Sequence, residues 1–282
     1  MIAFLRQAKH VLYYKIKHWY LYLRYFEWTR DVYQSFFPMG LDRAKIDGSF
    51  LINSVGENYV NQEVPKNIYI IWAGSNDMPS IRKDAVKSIT QYLSGFEIIT
   101  VTPRNLHQFI DEARPLHPMY EKLSYVHRSD YLRVYLLWAH GGGYTDIKKP
   151  KNNWESVFYE FSSSDTWIAG YPEIVFKMIS ESEPFGKDLK KMSSKMIGQG
   201  AFIARPKNPF LEELLNEMDR RLDLYAEQLT LNPGNAYGTN DGYPLAWTEL
   251  LADVLHPLCA KYSGKVFRDK RLLFEYKGIG HR

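Results

Sequence analysis

Cysteine is almost missing from this chain of 282 residues, in which Cys259 is the only one. A single thiol excludes an internal disulfide framework and a cysteine-rich metal site, so we expect a reducing compartment. The chain also lacks any run of about 18 apolar residues, the length that a membrane-spanning helix needs. Its N-terminus lacks the pattern of a secretory signal, because Lys and Arg interrupt every apolar run. These absences predict a cytoplasmic protein without a membrane-spanning helix.

Aromatic residues, by contrast, are abundant: the chain has 21 Tyr, 15 Phe and 7 Trp. Aromatic rings stack on sugars and bases, and they also lie at membrane interfaces. The net charge of +4 suits an anionic partner without selecting one. The chain length fits one enlarged α/β domain with an appendage.

Residues 1–39 differ from the rest because aromatic and apolar side chains alternate with Lys and Arg, and the first Pro is Pro38. This pattern predicts a long helix or a helical hairpin. Two interpretations stay open: a helix lying on an anionic membrane surface, or a helix packed on the remaining chain. We expect residues 1–60 to form a helical extension with a linker, and residues 61–282 the main domain. Nothing further supports nucleic-acid binding, so we expect no nucleic-acid partner.

A strand, a loop, a helix and a second strand follow in order after Pro65. The apolar run 67–72 predicts a buried strand, Pro79 suits the first position of a helix, and 96–101 predicts the next strand. Asn105 is placed to cap a further helix that reaches Ala113. The order is that of a βαβ unit, which predicts an α/β fold with a parallel sheet. Ligands of such sheets bind beyond the carboxyl ends of the strands.

A second segment combines charge with apolar residues. The pattern predicts a helix over 120–140 in which Asp130 and Arg133 share one face, since they are three residues apart. The glycines at 141–143 end this helix and permit a tight turn into a short strand. Asp146 ends that strand, where a carboxylate is placed to ligate a divalent cation or a polar ligand.

Two motifs carry a family resemblance. Ser129-Asp130-Tyr131-Leu132-Arg133, followed by Gly142-Gly143-Tyr144-Thr145-Asp146, resembles the S-D-x-x-R and G-G-x-Y-x-D-x-D pattern of glycosyltransferases with a sugar-binding DXD region. This group includes α-mannosyltransferase-like enzymes, capsular polysaccharide synthesis proteins and the glucosylating domains of large clostridial toxins. The segment from Val64 to Gly74 resembles the I-P-K-x-I-x-x-x-W-x-G opening strand of the same families. The resemblance covers 64–150 well and the remainder loosely.

The resemblance implies a GT-A-like Rossmann-type sheet flanked by helices. It also implies transfer of a sugar from a nucleotide-diphosphate sugar, typically a UDP-sugar, with retention of anomeric configuration. The acceptor would be a glycan or lipid-linked saccharide of bacterial capsule or O-antigen synthesis. The protein would then lie in the cytoplasm, peripheral to the inner face of the membrane if 1–39 binds there.

The resemblance also assigns roles to particular residues. Trp72 stacks on the donor base, beside Gly74; Asp130 and Arg133 hold the transferred sugar, with Arg133 near the diphosphate. Tyr144 and Asp146 complete the donor site, and the catalytic set is Asp130, Arg133 and Asp146.

The chain departs from the family at Lys148, which stands where the second Asp of the DXD motif is expected. The metal-binding set is then Asp146 with His281, and dependence on Mn²⁺ or Mg²⁺ is an open question. We favour the hypothesis that Lys148 or Lys149 replaces part of the cation's charge on the leaving diphosphate, since lysine binds phosphate as a point charge. The alternative is that both lysines are solvated and that a metal ion is held by Asp146 and C-terminal ligands.

On the acceptor side, the segment 241–248 resembles the family's G-P-x-x-(hydrophobic)-T pattern with one inserted residue, Tyr243. Asp241 and Tyr243 are therefore candidate acceptor contacts, although Asp241 would equally suit a helix N-cap. A different class of function also stays open: a non-catalytic nucleotide-sugar or glycan-binding module that lost activity with the second carboxylate.

Overall fold

A computed structural model describes residues 40–52, 54–55, 58–173 and 178–275, which form an open six-stranded sheet flanked by helices. The strands are β1 (Asn67–Ile71), β2 (Glu97–Val101), β3 (Gly142–Thr145), β4 (Ile168–Pro172), β5 (Ile197–Ala204) and β6 (Val266–Arg268). Across the sheet their order is β2-β1-β3-β5-β4-β6. The predicted α/β fold of Rossmann type is confirmed.

The sheet is mixed, which corrects the prediction of a parallel one. β1 is parallel to β2 and β3, and β4 is parallel to β6, but β5 is antiparallel to both of its neighbours. β3 and β5 are both almost wholly buried. Strand direction depends on how the intervening chain crosses, which periodicity does not reveal. The carboxyl ends of β1, β3 and β4 consequently share one edge of the sheet with the amino end of β5.

The described residues contain α-helices on both faces of this sheet. They are α1 (Arg43–Asp47), α2 (Ser80–Tyr92), α3 (Tyr125–His140), α4 (Glu155–Ser162), α5 (Gly186–Lys191), α6 (Pro209–Leu224), α7 (Ala226–Leu231) and α8 (Ala252–Lys261). Alternate side chains of β1 point to opposite faces. Ile68 and Ile70 belong to the core shared with α2 and α4, whereas Tyr69 and Ile71 belong to the core shared with α3, α6 and α8. The sheet is therefore the middle of three layers.

The predicted helix from Asn105 to Ala113 is wrong. A short 3-10 helix, Leu106–Phe109, occurs instead. The Asn105 side chain accepts hydrogen bonds from the backbone and hydroxyl of Thr102 and donates to the carbonyl of Thr100. Asn therefore closes a turn after β2, a local bond that competes with helix capping.

The glycines after α3 form the tight turn that the sequence predicts. Gly141 and Gly142 have φ values of 68° and 92°, in the region that favours glycine. A Cβ at Gly141 would lie 2.6 Å from the ring of Pro206. This turn reverses the chain directly from α3 into β3, so that Arg133 and Asp146 come close together.

The part of the predicted N-terminal extension that the structure describes packs on the main domain. Leu51 is buried in the core that contains α3, and Lys45 pairs with Asp188 at 2.7 Å. Within the described ranges no helix is long and apolar enough to cross a membrane. The predicted helix over 1–39 and its membrane contact lie outside the described residues.

Candidate functional site

A cavity of about 520 Å³ opens at the shared edge of the sheet, within the size range of small-molecule sites. Its lining joins residues of four strands, β1, β3, β4 and β5, with residues from α2 and α3 and from the loop before α8. The lining residues that the sequence predicted for the donor site are Trp72, Gly74, Asp130, Arg133, Tyr144, Asp146 and Lys148. The fold thus brings every predicted donor residue to one cavity.

The buried helix α3 carries the first charged pair. Ser124 caps its N-terminus by accepting a hydrogen bond from the backbone of His127. One turn further on, Arg133 Nη2 lies 2.9 Å from Asp130 Oδ1, and both side chains are buried. Arg133 also donates to the Gln199 carbonyl at 2.7 Å and to Ser129. A buried charge needs this many partners, so the guanidinium is held in one orientation.

Asp146 connects this pair to β3 and to Lys148. Its Oδ1 accepts a hydrogen bond of 2.8 Å from the Tyr144 hydroxyl and lies 3.5 Å from Arg133 Nη1. Its Oδ2 accepts a hydrogen bond of 2.8 Å from Lys148 Nζ. The Arg133 guanidinium lies over the Tyr144 ring, 4.7 Å from its centroid, and Lys148 Nζ lies 4.4 Å from the Phe274 ring. The result is a chain of alternating charges, from Asp130 through Arg133 and Asp146 to Lys148.

The ionisation of this chain follows from its contacts. Burial alone would raise the pKa of Asp146, but Lys148 and Arg133 together lower it below its ordinary value. Burial likewise disfavours charge on Arg133, yet Tyr144, Asp130 and Asp146 raise its pKa. The pKa of Tyr144 is raised well above its ordinary value by burial, with the Asp146 carboxylate adding to the rise. At neutral pH Asp146 and Arg133 are therefore charged, and the Tyr144 hydroxyl keeps its proton.

The two candidate lysines differ in position. Lys148 is buried in the cavity wall, whereas Lys149 pairs with Glu275 at 2.9 Å and does not line the cavity. Of the two lysines, only Lys148 is therefore placed to replace the charge of a cation in this cavity.

Trp72 and Gly74 form the wall beyond β1. The indole of Trp72 is half-buried, and its Nε1 donates to the Asn76 carbonyl at 2.7 Å. This bond fixes the ring at the cavity rim. A Cβ at Gly74 would lie 3.0 Å from the Tyr125 ring, so glycine lets the loop pack against α3. Both residues line the cavity.

The described residues do not provide a set of ligands for a metal ion. Both carboxylate oxygens of Asp146 accept hydrogen bonds, one from Tyr144 and one from Lys148. Between residues 40 and 275, as far as they are described, no group of three or more His, Cys, Asp or Glu side chains is arranged to hold a metal. The other predicted ligand, His281, lies outside the described residues.

The predicted acceptor residues lie near the cavity but do not line it. Asp241 is exposed and caps no helix, since the next helix, α8, starts at Ala252. The Tyr243 hydroxyl makes a 2.8 Å hydrogen bond with His127 Nδ1 and accepts one from the backbone of Ser124. Burial lowers the pKa of His127, which is neutral at neutral pH. Tyr243 thus joins the loop before α8 to the start of α3.

Several lining residues were missed. Glu173 is buried and directly follows β4, and Arg82 lies in the first turn of α2. The strand-end carboxylate pattern that selected Asp146 also fits Glu173, so a search of the run 167–173 would have found it. Tyr237 and Trp247 also line the cavity. No periodicity marks them, because their loop has no regular secondary structure.

Comparison with known families places this region in context. A family model described as capsular polysaccharide synthesis protein matches residues 44–164, which is less than half of the chain. The matched segment contains Trp72, Asp130, Arg133, Asp146 and Lys148. No curated protein matches the chain. The match relates this chain to capsular polysaccharide synthesis.

Proposed function

We propose that this protein is a glycosyltransferase that moves a sugar from a nucleotide-diphosphate sugar to a saccharide acceptor in capsular polysaccharide synthesis. The observation that carries the proposal is the alternating charge chain of Asp130, Arg133, Asp146 and Lys148 in one cavity with Trp72. A planar ring, fixed cations and carboxylates are the groups that a base, a diphosphate and a sugar need. The match to the capsular family supports the same direction.

The donor is proposed to lie with its base on Trp72 and its sugar between Asp130 and Asp146. Carboxylates accept hydrogen bonds from sugar hydroxyls, and charged acceptors make the stronger bonds. Because both carboxylates are already held by Arg133 and Lys148, they keep their orientation without a ligand. Such pre-organisation lowers the cost of binding.

Charge compensation for the leaving diphosphate is proposed to come from side chains. The cavity lining contains three basic residues, Arg82, Arg133 and Lys148, and three acidic ones, Asp130, Asp146 and Glu173. Lysine instead of aspartate at position 148 makes the formal charge more positive by two, the charge that a divalent cation would add. Fixed cations aimed at the leaving group stabilise the charge that develops there.

Transfer with retention is proposed to follow a front-face route. The acceptor hydroxyl attacks the anomeric carbon on the face from which the diphosphate leaves, so one C–O bond forms as another breaks. The acceptor proton passes to the departing phosphate oxygen, and no covalent sugar–enzyme bond forms. Arg133 and Lys148 hold the leaving phosphate, while Asp130 holds the sugar.

A thermal-shift screen of nucleotide sugars, run with Mn²⁺ and with EDTA, tests the proposal. A bound donor at about 100 times its Kd stabilises the fold by about 2.7 kcal/mol, which a melting curve detects. We expect a nucleotide-diphosphate sugar to raise the melting temperature in both conditions, and nucleotide release to follow when acceptor is added. A screen in which no nucleotide sugar binds would contradict the proposal.

Lys148 also motivates a second candidate, a non-catalytic module that binds a nucleotide sugar. In that case the Lys148–Asp146 contact at 2.8 Å would mark the loss of a second carboxylate. Nucleotide release separates the two candidates: binding without turnover, across a range of saccharide acceptors, favours the module.

A further inference from the structure

The cavity has a second wall that the donor proposal does not use. It belongs to residues 233–250, here called the aromatic loop, which connect α7 to α8 without regular secondary structure. Tyr237 and Trp247 of this loop line the cavity, and they are 41% and 45% exposed. Exposed large aromatic side chains in a concave site are costly to keep and commonly mark a binding surface.

Hydrogen bonds fix the turn that carries Tyr237. Asn235 Oδ1 accepts from the backbone of Tyr237 at 3.0 Å and from that of Thr239 at 3.1 Å. Asn240 accepts from the backbone of Asn235 and donates to the Pro233 carbonyl. Asn and Asp side chains close turns in this way. Tyr237 is therefore held on a closed turn.

Tyr243 anchors the same loop to α3. Its ring stacks on His127, with ring centroids 5.6 Å apart, and a Cβ at Gly234 or at Gly238 would come within 2.7 Å of it. His127 Nε2 lies 3.2 Å from the Ala246 carbonyl, next to Trp247. The segment between Tyr237 and Trp247 is consequently tied to α3, the helix that carries Asp130 and Arg133.

We infer that Tyr237 and Trp247 form a binding platform for the acceptor saccharide. The inference rests on the proposed function, because it assumes that the donor binds at the charged residues of the cavity and leaves the aromatic loop to the acceptor. An aromatic ring offers a flat apolar surface with a polar edge, which matches the C–H face and the hydroxyl rim of a sugar ring. Tyr237 and Trp247 line the same cavity as Asp130 and Asp146, the residues proposed to hold the transferred sugar. A small concave site also suits a saccharide ligand better than it suits a protein partner.

The experiment compares Tyr237→Ala and Trp247→Ala with Tyr159→Ala. Tyr159 is 76% exposed on α4 and does not line the cavity, so it controls for removal of an exposed ring. The probes are a panel of methyl glycosides, measured by saturation-transfer NMR with UDP present, and UDP-sugars measured by calorimetry. We expect either cavity variant to weaken glycoside binding at least about 10-fold, a loss typical of one stacking contact. UDP-sugar affinity and melting temperature should stay as in the wild type, and Trp247→Phe should restore part of the glycoside binding.

Three results would overturn the inference: no glycoside binds the wild type, glycoside binding survives both substitutions, or UDP-sugar affinity falls together with it. The last result would place the donor base on the aromatic loop instead of on Trp72. The proposed function fails separately, through a wild-type protein that binds no nucleotide sugar in calorimetry. Glycoside binding that depends on Trp247 would then still locate a saccharide site.

Discussion

The two walls of the cavity are built by different means. The donor wall consists of charged side chains on α3 and directly after β3. Asp130, Arg133, Asp146 and Lys148 are held by ion pairs, and Arg133 also by a hydrogen bond to a backbone carbonyl. The aromatic loop has exposed rings and is tied to the domain by Tyr243 and by turn hydrogen bonds. A wall of paired charges keeps its shape because breaking any pair leaves an uncompensated buried charge. A loop held by neutral hydrogen bonds loses about 1 kcal/mol for each bond removed. The donor wall is therefore held in shape by ion pairs, and the aromatic loop is held by local hydrogen bonds and packing.

Removal of the positive charge of Arg133, at the centre of the donor wall, should have the largest effect on turnover. Arg133→Met leaves Asp130 and Asp146 without their shared partner and removes a cation from the proposed leaving group. Loss of one such stabilising donor costs about 10²–10³-fold in turnover. We expect nucleotide release, measured with a UDP-sugar and acceptor, to fall by about that factor.

Arg128→Met is the matched control for Arg133→Met, because Arg128 lies on the same helix, pairs with Glu121 and does not line the cavity. Equal losses in the two variants would show that α3 is merely destabilised. Circular dichroism on both proteins checks that the helix is intact.

Much of the donor wall could be predicted from the sequence because its residues follow regular elements. Asp130 and Arg133 share a face by helical spacing, and Trp72 and Asp146 each follow a short strand. Glu173 fits the same strand-end pattern, since it directly follows β4. The direction of β5 was not predictable in the same way, since it depends on how the chain crosses the sheet. The resemblance assigned the segment 241–248 of the aromatic loop to the acceptor side. Tyr237 and Trp247 were missed as lining residues because they lie on a loop without regular structure, which has no period. Periodicity thus identifies side chains on helices and strands, whereas the position of a side chain on a loop is known only from the three-dimensional structure.

Reversal of the charge at position 148 should make the donor wall dependent on a metal ion. Lys148→Asp restores the second carboxylate of the DXD spacing that begins at Asp146, and it removes the cation from Asp146 Oδ2. A unit charge about 4 Å from its partner is worth about 1 kcal/mol in water and about 4 kcal/mol at an effective dielectric of 20. Because the cavity is partly open to solvent, we expect a loss between these limits, about 100-fold weaker UDP-sugar binding in EDTA. Mn²⁺ should restore most of the affinity in calorimetry.

Lys149→Asp serves as the control for Lys148→Asp, since Lys149 pairs with Glu275 outside the cavity. The lysine hypothesis is lost if EDTA abolishes donor binding in the wild type and Mn²⁺ restores it. It is also lost if both lysine variants behave alike.

A lower pH should reduce the stability of the fold through the buried residue His256. His256 is fully buried, accepts a hydrogen bond from the backbone of Ser180 and lies 3.2 Å from the Ile197 carbonyl at the start of β5. Burial lowers its pKa from 6.5 to about 4. Between these values the unfolded chain binds a proton that the folded chain does not, so stability falls as pH decreases. From pH 7.5 to pH 5 we expect His256 to account for a loss of about 2 kcal/mol.

Denaturant unfolding of the wild type and of His256→Gln at the two pH values measures this loss. The variant should be less stable at pH 7.5 but should show a pH dependence about 2 kcal/mol smaller. His107→Gln, at an exposed position, should keep the wild-type dependence. Equal pH dependence in wild type and His256→Gln would refute the assignment.

A single ring on each wall tests whether the walls bind different ligands. Trp72→Ala removes the ring at the end of β1, and a stacked base is worth about 1–3 kcal/mol, so UDP-sugar affinity should fall about 10-fold. Methyl glycoside binding should not change. Trp247→Ala should give the opposite result, and a loss of both ligands in either variant would argue against two separate subsites.

The smallest effect is expected where the aromatic loop joins α3. Tyr243→Phe keeps the ring that packs against Gly234 and Gly238 but removes the hydroxyl that bonds His127 Nδ1 at 2.8 Å. The hydroxyl also accepts a hydrogen bond from the backbone of Ser124. Tyr243 is only half-buried, so each of the two bonds is worth about 0.5 kcal/mol, and methyl glycoside binding should weaken about fivefold. UDP-sugar binding should be unchanged, because Asp130, Arg133 and Asp146 keep their ion pairs without the loop. Calorimetry of both ligands checks this, and a matching fall in UDP-sugar affinity would mean that the two walls are mechanically coupled through α3.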